Sequence, residues 1–551
     1  MKKAIASILA AGMALSLVAC GGSGSSGSSG SSDAATESAA ESSQTTETAA
    51  AEDVELVEGT SDDAVLRVAI DGEPDSLFAA YQQNKADNRV NSSMFNYLVE
   101  WDDEAKEAKP SVATEWEWID DTHIRFTLRD DVYFSNGEKL VAEDVAQSLA
   151  YSCEYHSTYT QMFDPENFVV EDDTHVVLAL SKPYGNLLDI LGCDYYTIFD
   201  WSAWQEDNDT LGADDALSKW LRDPVGSGPY KLVEWVDGDH ITLERNEDYW
   251  DKDNMPYYKQ IVYSFISDMP ARASALEAGT VDVAYNIASS QIEELQSAGL
   301  TVNPYNQNVV MPLTFNMQKC PALADENVRK AIMYCIDKSA LADAYGNGYE
   351  ISGKSSLVAE NSEYYAEVET WSQDLETAQA AIDEAIAENG WTSEDLTFTT
   401  WSVSGSDTSQ IELLQYYLST VGITLNIESA DFATVLFDHL FVGDTSISIA
   451  ENDTWDITRM LNMLDSRIET SYDAYVGEYE DELHDLIDAA WAADDDSRYD
   501  AYKAVQQFAA DHYMTTALNS CLYTDAWSSS ISGMKYDAHS WPNVWAMRPV
   551  K

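Results

Sequence analysis

The sequence predicts an α/β protein of more than one lobe. Three observations carry that expectation. The chain has 551 residues, with 16 Trp and 31 Tyr to fill cores, which is more than one core accommodates. Short runs alternate in hydrophobicity as strands do, and between them lie stretches whose apolar residues recur at helical spacing.

The chain opens with Lys2 and Lys3, followed by an apolar run from Ala4 to Val18 that ends in Leu17-Val18-Ala19-Cys20. A basic start, a short apolar core and small residues before a break describe a secretory signal over residues 1–19. The run is shorter than the roughly 20 residues of a membrane-spanning helix. Leu-Val-Ala-Cys resembles the lipobox of bacterial lipoproteins, which implies that Cys20 is acylated and becomes the mature N-terminus. From Gly21 to about Ser61 the chain is Gly/Ser-rich, then Ala/Ser/Thr/Glu-rich, with no aromatic residue. Such a composition cannot offset its ordering entropy, so residues 20–61 are expected to form a disordered tether. About 40 residues of this kind have a mean reach on the order of 35 Å. A diacylglyceryl anchor brings two acyl chains, enough for stable attachment.

Beyond the tether, Val65-Leu66-Arg67-Val68-Ala69-Ile70 alternates as a strand and is followed by the turn formers Asp71-Gly72-Glu73-Pro74. Residues 89–101 carry Val90, Met94, Tyr97 and Leu98 at helical spacing. Three runs then read as antiparallel strands with tight turns at Asp120-Asp121 and Asn136-Gly137: Ser111 to Trp118, Thr122 to Arg129, and Asp131 to Phe134. Ala142-Glu143-Asp144-Val145-Ala146-Gln147-Ser148-Leu149 predicts a helix directly after them.

Composition narrows the function. The formal net charge is −67, which disfavours nucleic acid, since phosphate neutralisation needs a basic surface, and disfavours electrostatic adhesion to anionic lipid. Solubility outside the cell is the simplest use of so much acid. Besides Cys20 there are Cys153, Cys193, Cys320, Cys335 and Cys521; none forms a Cys-x-x-Cys pair, and an odd number leaves at least one outside any intramolecular disulfide. The eight histidines include no His-x-x-x-His, which argues against a zinc hydrolase. Asp494-Asp495-Asp496 lacks the spacing of a calcium loop, and no serine elbow is present in the folded body. No metal, cofactor or catalytic residue is expected.

Four blocks carry a resemblance. Trp116 to Tyr151 contains Phe126-Thr127-Leu128-Arg129-Asp130-Asp131-Val132-Tyr133-Phe134 and Ala142-Glu143-Asp144-Val145. Pro224-Val225-Gly226-Ser227-Gly228-Pro229-Tyr230 leads to Arg245-Asn246-Glu247-Asp248-Tyr249-Trp250. Ala271 to Tyr285 holds Leu276-Glu277-Ala278-Gly279-Thr280-Val281-Asp282, and Phe315-Asn316 to Leu341 holds Val328-Arg329-Lys330-Ala331-Ile332. In this order the blocks resemble the family 5 solute-binding proteins, the peptide-, nickel- and related binding proteins that feed ABC importers; Ser227 stands where the family commonly has threonine. Taken alone, Gly226-Ser227-Gly228 reads as a structural turn, because no Gly-Lys-[Ser/Thr] follows, and Arg329 reads as a salt-bridge or helix contact.

The resemblance implies a periplasmic-binding-protein type II-like fold of two lobes with a hinge and an additional inserted domain. Lobe I is expected over 62–97, 225–305 and 520–551, the inserted domain over 98–224, and lobe II over 306–519. In peptide-binding members of the family an acidic residue, about eight positions before a Leu in a short apolar helix, pairs with the ligand's α-ammonium. Counting back from Leu461 reaches Asp453, with Asp456 as the alternative and a helix N-cap as the structural reading of either. The family's Trp-x-x-Asp pattern is absent, since Ala450 occupies the tryptophan position. Trp401, at the end of an apparent strand from Leu396, is read either as a ring that stacks on ligand or as a core residue.

What the resemblance implies is a monomeric, lipid-anchored receptor on the outer face of the membrane. It would close its lobes around a short peptide and deliver it to the transmembrane subunits of an ABC permease. The same role for an oligosaccharide or a metal chelate is the alternative within the class; a secreted hydrolase or a surface adhesin is the alternative outside it.

Overall fold

The strand Val65–Ile70 is the spine of the largest sheet. It runs parallel to Gln260–Phe265 on one side, with Val65 opposite Gln260 and Ile70 opposite Phe265, and parallel to Val283–Ala284 on the other. A strand with parallel neighbours on both edges is covered on both faces, so Leu66, Val68, Ala69 and Ile70 are all fully buried. The computed structural model describes residues 55–81, 85–102, 107–155, 162–184, 187–192, 196–346, 351–352, 357–360, 362, 364–368, 371–404, 408–431, 434–440, 445–449, 452–453, 457–468, 474–493, 497–536 and 541–551. The signal segment, Cys20, most of the tether, Cys193, Asp456 and Asp494–Asp496 lie outside the described residues.

Across this sheet the order is Tyr230–Val236, His240–Arg245, Gln260–Phe265, Val65–Ile70, Val283–Ala284, Thr516–Trp527, Thr301–Phe315 and Ile447–Ile449. The long strands Thr301–Phe315 and Thr516–Trp527 pair antiparallel from Thr301 opposite Trp527 to Leu313 opposite Thr516, with the register broken between Asn306 and Val310. Their two ends belong to different cores. Trp527 packs with Leu66, Val68, Phe78 and Tyr263, whereas Leu313, Phe315 and Leu518 pack with Ile332, Leu414 and Leu461. The chain therefore crosses from one core to the other within single strands, and the expected boundaries at 305/306 and 519/520 both fall inside them. A register break of this kind increases local twist and bends the ladder.

Beside the second core, Thr397–Val403 and Thr424–Ala430 pair in parallel, linked by the helix Ser409–Ser419. A further core is built on the antiparallel sheet Ala113–Asp120, His123–Leu128, His175–Ala179 and Val169–Asp172, against which the helix Ala142–Tyr155 lies, starting where the sequence predicts. The third predicted run differs from expectation. Asp131 to Phe134 joins no ladder of this sheet, and Tyr133 makes only an isolated bridge to Lys139 around Asn136-Gly137. On the side away from Ala113–Asp120, the partner of His123–Leu128 is instead His175–Ala179.

The helical spacing over 89–101 is likewise realised only in part. The helix Lys85–Asn91 stops before Ser92, and short strands Asn96–Tyr97 and Val99–Asp102 follow. Backbone competition explains the stop: the carbonyls of Ser93 and Met94 accept from Tyr230 N and Gly228 N, both at 2.9 Å. The turn at 226–228 is glycine-rich for the same reason. A Cβ on Gly226 would lie 2.2 Å from the Met94 carbonyl oxygen, and one on Gly228 would lie 2.3 Å from its carbonyl carbon. The third block forms the expected helix, turn and strand, with Asp268 capping Met269–Glu277 by accepting from Ala271 N at 2.8 Å and with Gly279 at φ +66. Arg329 is fully buried and donates to the carbonyls of Leu323, Ala324, His512 and Tyr513, a structural clamp between two helix ends.

Candidate ligand-binding site

Where the long strands change register, two short strands join them. Asn452–Asp453 pairs with Thr301–Phe315, placing Asp453 opposite Val309, and Ile351–Ser352 pairs with Thr516–Trp527, placing Ile351 opposite Ser520. Four strands thus lie side by side at the point where the two cores meet. Asp453 is accordingly in a β-bridge and not at a helix N-cap; the helix Ile457–Leu464 begins later, with Leu461 fully buried. Val309 shares a small apolar cluster with Met311, Tyr523, Tyr305 and Ile449.

Trp401 reaches the same sheet by a separate route. Its strand runs on to Val403, two residues beyond the expected end. Ser446 N donates to Thr399 O at 2.8 Å, and Asn316 N donates to Ser446 O at 2.9 Å, which ties this strand to the end of Thr301–Phe315. The half-buried Trp401 ring lies flat on the imidazole of His439, with centroids 3.5 Å apart and planes 8° from parallel. His439 belongs to the π-helical segment Thr434–Leu440, a conformation that recurs at functional sites.

A second set of groups at the crossing had no signal in any linear motif. Arg89, fully buried, donates through Nη1 to Asp71 and lies 4.8 Å from the Tyr285 ring centroid. Asp525, also fully buried, accepts from Asn286 N at 3.0 Å. Next to it the rings of Tyr305 and Tyr536 lie 4.6 Å apart, and Asn303 donates to the Tyr536 hydroxyl at 2.9 Å. Burial pushes the Asp525 carboxyl up to about 6 despite the nearby Arg89 charge. Burial also acts to raise Asp71, but the Arg89 charge and hydrogen bond outweigh it and hold that carboxyl at about 2. Lys85 lies over the Tyr523 ring, 4.1 Å from its centroid. These residues come from segments far apart in sequence and meet only because the sheet interleaves them.

Among the described residues no cluster of three or more His, Cys, Asp or Glu is arranged to hold a metal ion. Cys335 is a buried free thiol that burial raises to about 12, and Cys320 is also free. No described helix is long and apolar enough to cross a membrane.

Solved structures similar to this one include binding proteins. The ABC transporter-associated periplasmic binding protein DppA of Helicobacter pylori, in complex with the peptide STSA, aligns with a TM-score of 0.74 at 20% identity, covering 89% of this chain and 98% of that one. The oligopeptide-binding protein AppA of Bacillus subtilis, bound to a nonapeptide, gives 0.73 at 20% identity, covering 90% and 100%. Among curated sequences, the chain is similar to the probable D,D-dipeptide-binding periplasmic protein DdpA of Escherichia coli, at 26% identity over 65% of this chain and 67% of that protein. It is also similar to the heme-binding protein A of Haemophilus influenzae, at 26% identity over 55% of this chain and 58% of that protein. For several of these relatives the match spans less than two thirds of their length.

Two cores joined by crossing strands, with a third body beside them, make an α/β fold of the two-lobe type II class. The family model for bacterial extracellular solute-binding proteins, family 5 (middle region), matches residues 107–503. The chain belongs to that family, whose members are the extracytoplasmic solute-binding components of ABC importers.

Proposed function

We propose that this chain is a lipid-anchored receptor that captures short peptides between its lobes and hands them to an ABC permease. The observation that carries the reading is the position of Asp453, opposite Val309 on a strand whose two ends pack in separate clusters, Val302 with Ala69 and Ala526 and Leu313 with Ile332. An acidic residue there can meet the α-ammonium of a peptide at the joint between lobes, through a charge-assisted hydrogen bond. Trp401 supplies an aromatic face in the same lobe, and Asp456 is the alternative acid. Lobe I comprises 62–97, 225–305 and 520–551, the inserted domain 98–224 and lobe II 306–519. Cys20 carries the lipid, and the tether 20–61 lets a monomeric body stand off from the membrane yet reach the permease.

A thermal-shift screen of the mature protein against dipeptides, longer peptides, oligosaccharides and nickel chelates tests the reading, because a ligand that binds only the folded state raises the melting temperature by mass action. Stabilisation by peptides supports it. Stabilisation by a sugar or chelate alone reassigns the cargo. Cys20→Ser is expected to move the protein from the membrane fraction to the medium or periplasm; retention on the membrane would remove the anchor from the proposal.

A further inference from the structure

Trp491, the last residue of the helix Glu480–Trp491, packs against two separate cores. One is the large cluster around Leu313, Ile332 and Leu518; the other is the cluster of the antiparallel-sheet body around Phe126, Leu149 and Tyr184. Among the described residues no other side chain is shared by these two clusters. From the antiparallel body two side chains meet it. Tyr184 places its ring 5.5 Å away, and Lys182 sets its ammonium 3.1 Å from the Trp491 ring centroid.

Charged residues of the second lobe that act on Lys182 are themselves braced. Arg467 forks between Asp465 and Asp488, donating to each at 2.8–3.0 Å, and Ser466 hydrogen-bonds the His484 ring at 3.0 Å. Burial lowers the Lys182 ammonium to about 8, with the Asp465 and Asp488 charges acting to raise it and Arg467 opposing them. The antiparallel body is itself fastened to the first lobe: Val225 packs on both of their cores, Ser135 N donates to Gly226 O at 2.9 Å, and Asp200 N donates to Val225 O at 3.2 Å.

We infer that Trp491, gripped by Lys182 and Tyr184, is a latch that holds the two lobes together without touching the cargo. The inference rests on the closing-receptor reading above. Any opening about the crossing strands carries Lys182 and Tyr184 away with the first lobe and Trp491 with the second, so the contact exists in the closed arrangement alone. Its scale suits a latch. An aromatic pair and one cation–π contact shift a two-state equilibrium by roughly 5- to 50-fold, enough to lengthen residence and little enough to release.

The test uses the full mature chain with Trp491→Ala, Lys182→Ala and the aromatic-retaining Trp491→Phe, with trialanine as the probe. In stopped-flow experiments Trp491→Ala is expected to release trialanine roughly 5- to 50-fold faster and Lys182→Ala roughly 2- to 10-fold faster, with association little changed and Trp491→Phe close to wild type. Equal release rates in all four proteins would overturn the latch while leaving the receptor reading in place. Wild-type protein that neither binds trialanine nor changes its scattering profile with it would count against the peptide-receptor reading instead. In that case the ligand-free radius of gyration decides the latch: a larger radius for Trp491→Ala and Lys182→Ala sustains it, and an unchanged radius removes it. Lys182→Ala, which leaves both cores intact, keeps the test valid if Trp491→Ala fails to fold.

Discussion

Asp282 receives three hydrogen bonds from Arg67: from the backbone N at 2.9 Å, from Nε at 2.9 Å and from Nη2 at 2.6 Å. The Arg67 guanidinium also donates to Gly279 O at 2.8 Å. One acid in the Gly279-Thr280-Val281-Asp282 segment thereby fixes the first strand against the turn that follows Met269–Glu277. Because Arg67 is partly solvated, the expected cost of Asp282→Ala is about 1–2 kcal/mol. A urea midpoint lowered at constant slope will show it; an unchanged midpoint refutes the role.

The glycines at 226 and 228 make a sharper prediction. Gly228→Ala sets a methyl group against the Met94 backbone, which cannot step aside, so a loss of about 3 kcal/mol or more is expected. Gly238, at φ +70 with no atom within 4 Å of an added Cβ, is the control: its alanine variant meets only backbone strain, about 1 kcal/mol. Circular dichroism melts of the two variants should differ clearly, and similar melts would contradict the close-approach explanation.

Asp525 predicts a pH dependence. Its folded-state value of about 6 lies above the ordinary carboxyl value because of burial. A carboxyl raised on folding stabilises fully below its unfolded value and loses that contribution as pH climbs through the folded one. The window is therefore about pH 4 to 6, and the loss is at most about 3 kcal/mol. Asp71, held at about 2, acts in the opposite sense: its contribution is complete above about pH 4 and disappears in stronger acid. Asp525→Asn should flatten the fall in stability between pH 4.5 and 7 relative to wild type. Parallel pH profiles in urea denaturation would show that Asp525 does not titrate in that range.

For the proposed ligand contact, Asp453→Asn is expected to weaken peptide binding roughly 10- to 100-fold, the effect of losing one charge-assisted hydrogen bond. Isothermal titration calorimetry measures this directly. Affinity equal to wild type would pass the role to Asp456 or to neither residue.

Trp401 divides its two readings by fluorescence. If its exposed face covers bound peptide, the peptide-dependent intensity change disappears in Trp401→Phe while affinity falls only a few-fold, as expected for swapping one aromatic platform for another. A signal that survives the substitution assigns the ring to its stack with His439 alone.

Much of the fold was legible because the informative residues are local. The alternation of Val65 to Ile70, the strands around Asp120-Asp121, and the helix from Ala142 are set by neighbours in sequence. The register of the long strands was not legible, because Thr301 and Trp527 pair directly although they lie far apart in sequence. The same limit explains the helix that ends at Asn91: its helical spacing continues to Leu98, but the backbone there is claimed by Gly228 and Tyr230. Of the candidate site, Asp453 was reached through a family pattern. The charges of Asp71, Arg89 and Asp525, and the partner of Trp401, had no local signature, since each depends on contacts across distant segments.

The order of the central sheet also bears on how the chain is made. Thr516–Trp527 lies between Val283–Ala284 and Thr301–Phe315, so synthesis delivers nearly the whole polypeptide before the strand that completes the first lobe exists. Until then the nascent chain presents an open sheet edge and an unfinished core, a state that chaperones recognise and that can still be threaded through a translocation channel. The first lobe is therefore finished by nearly the last strand of the chain to be made, after all the other strands of its sheet.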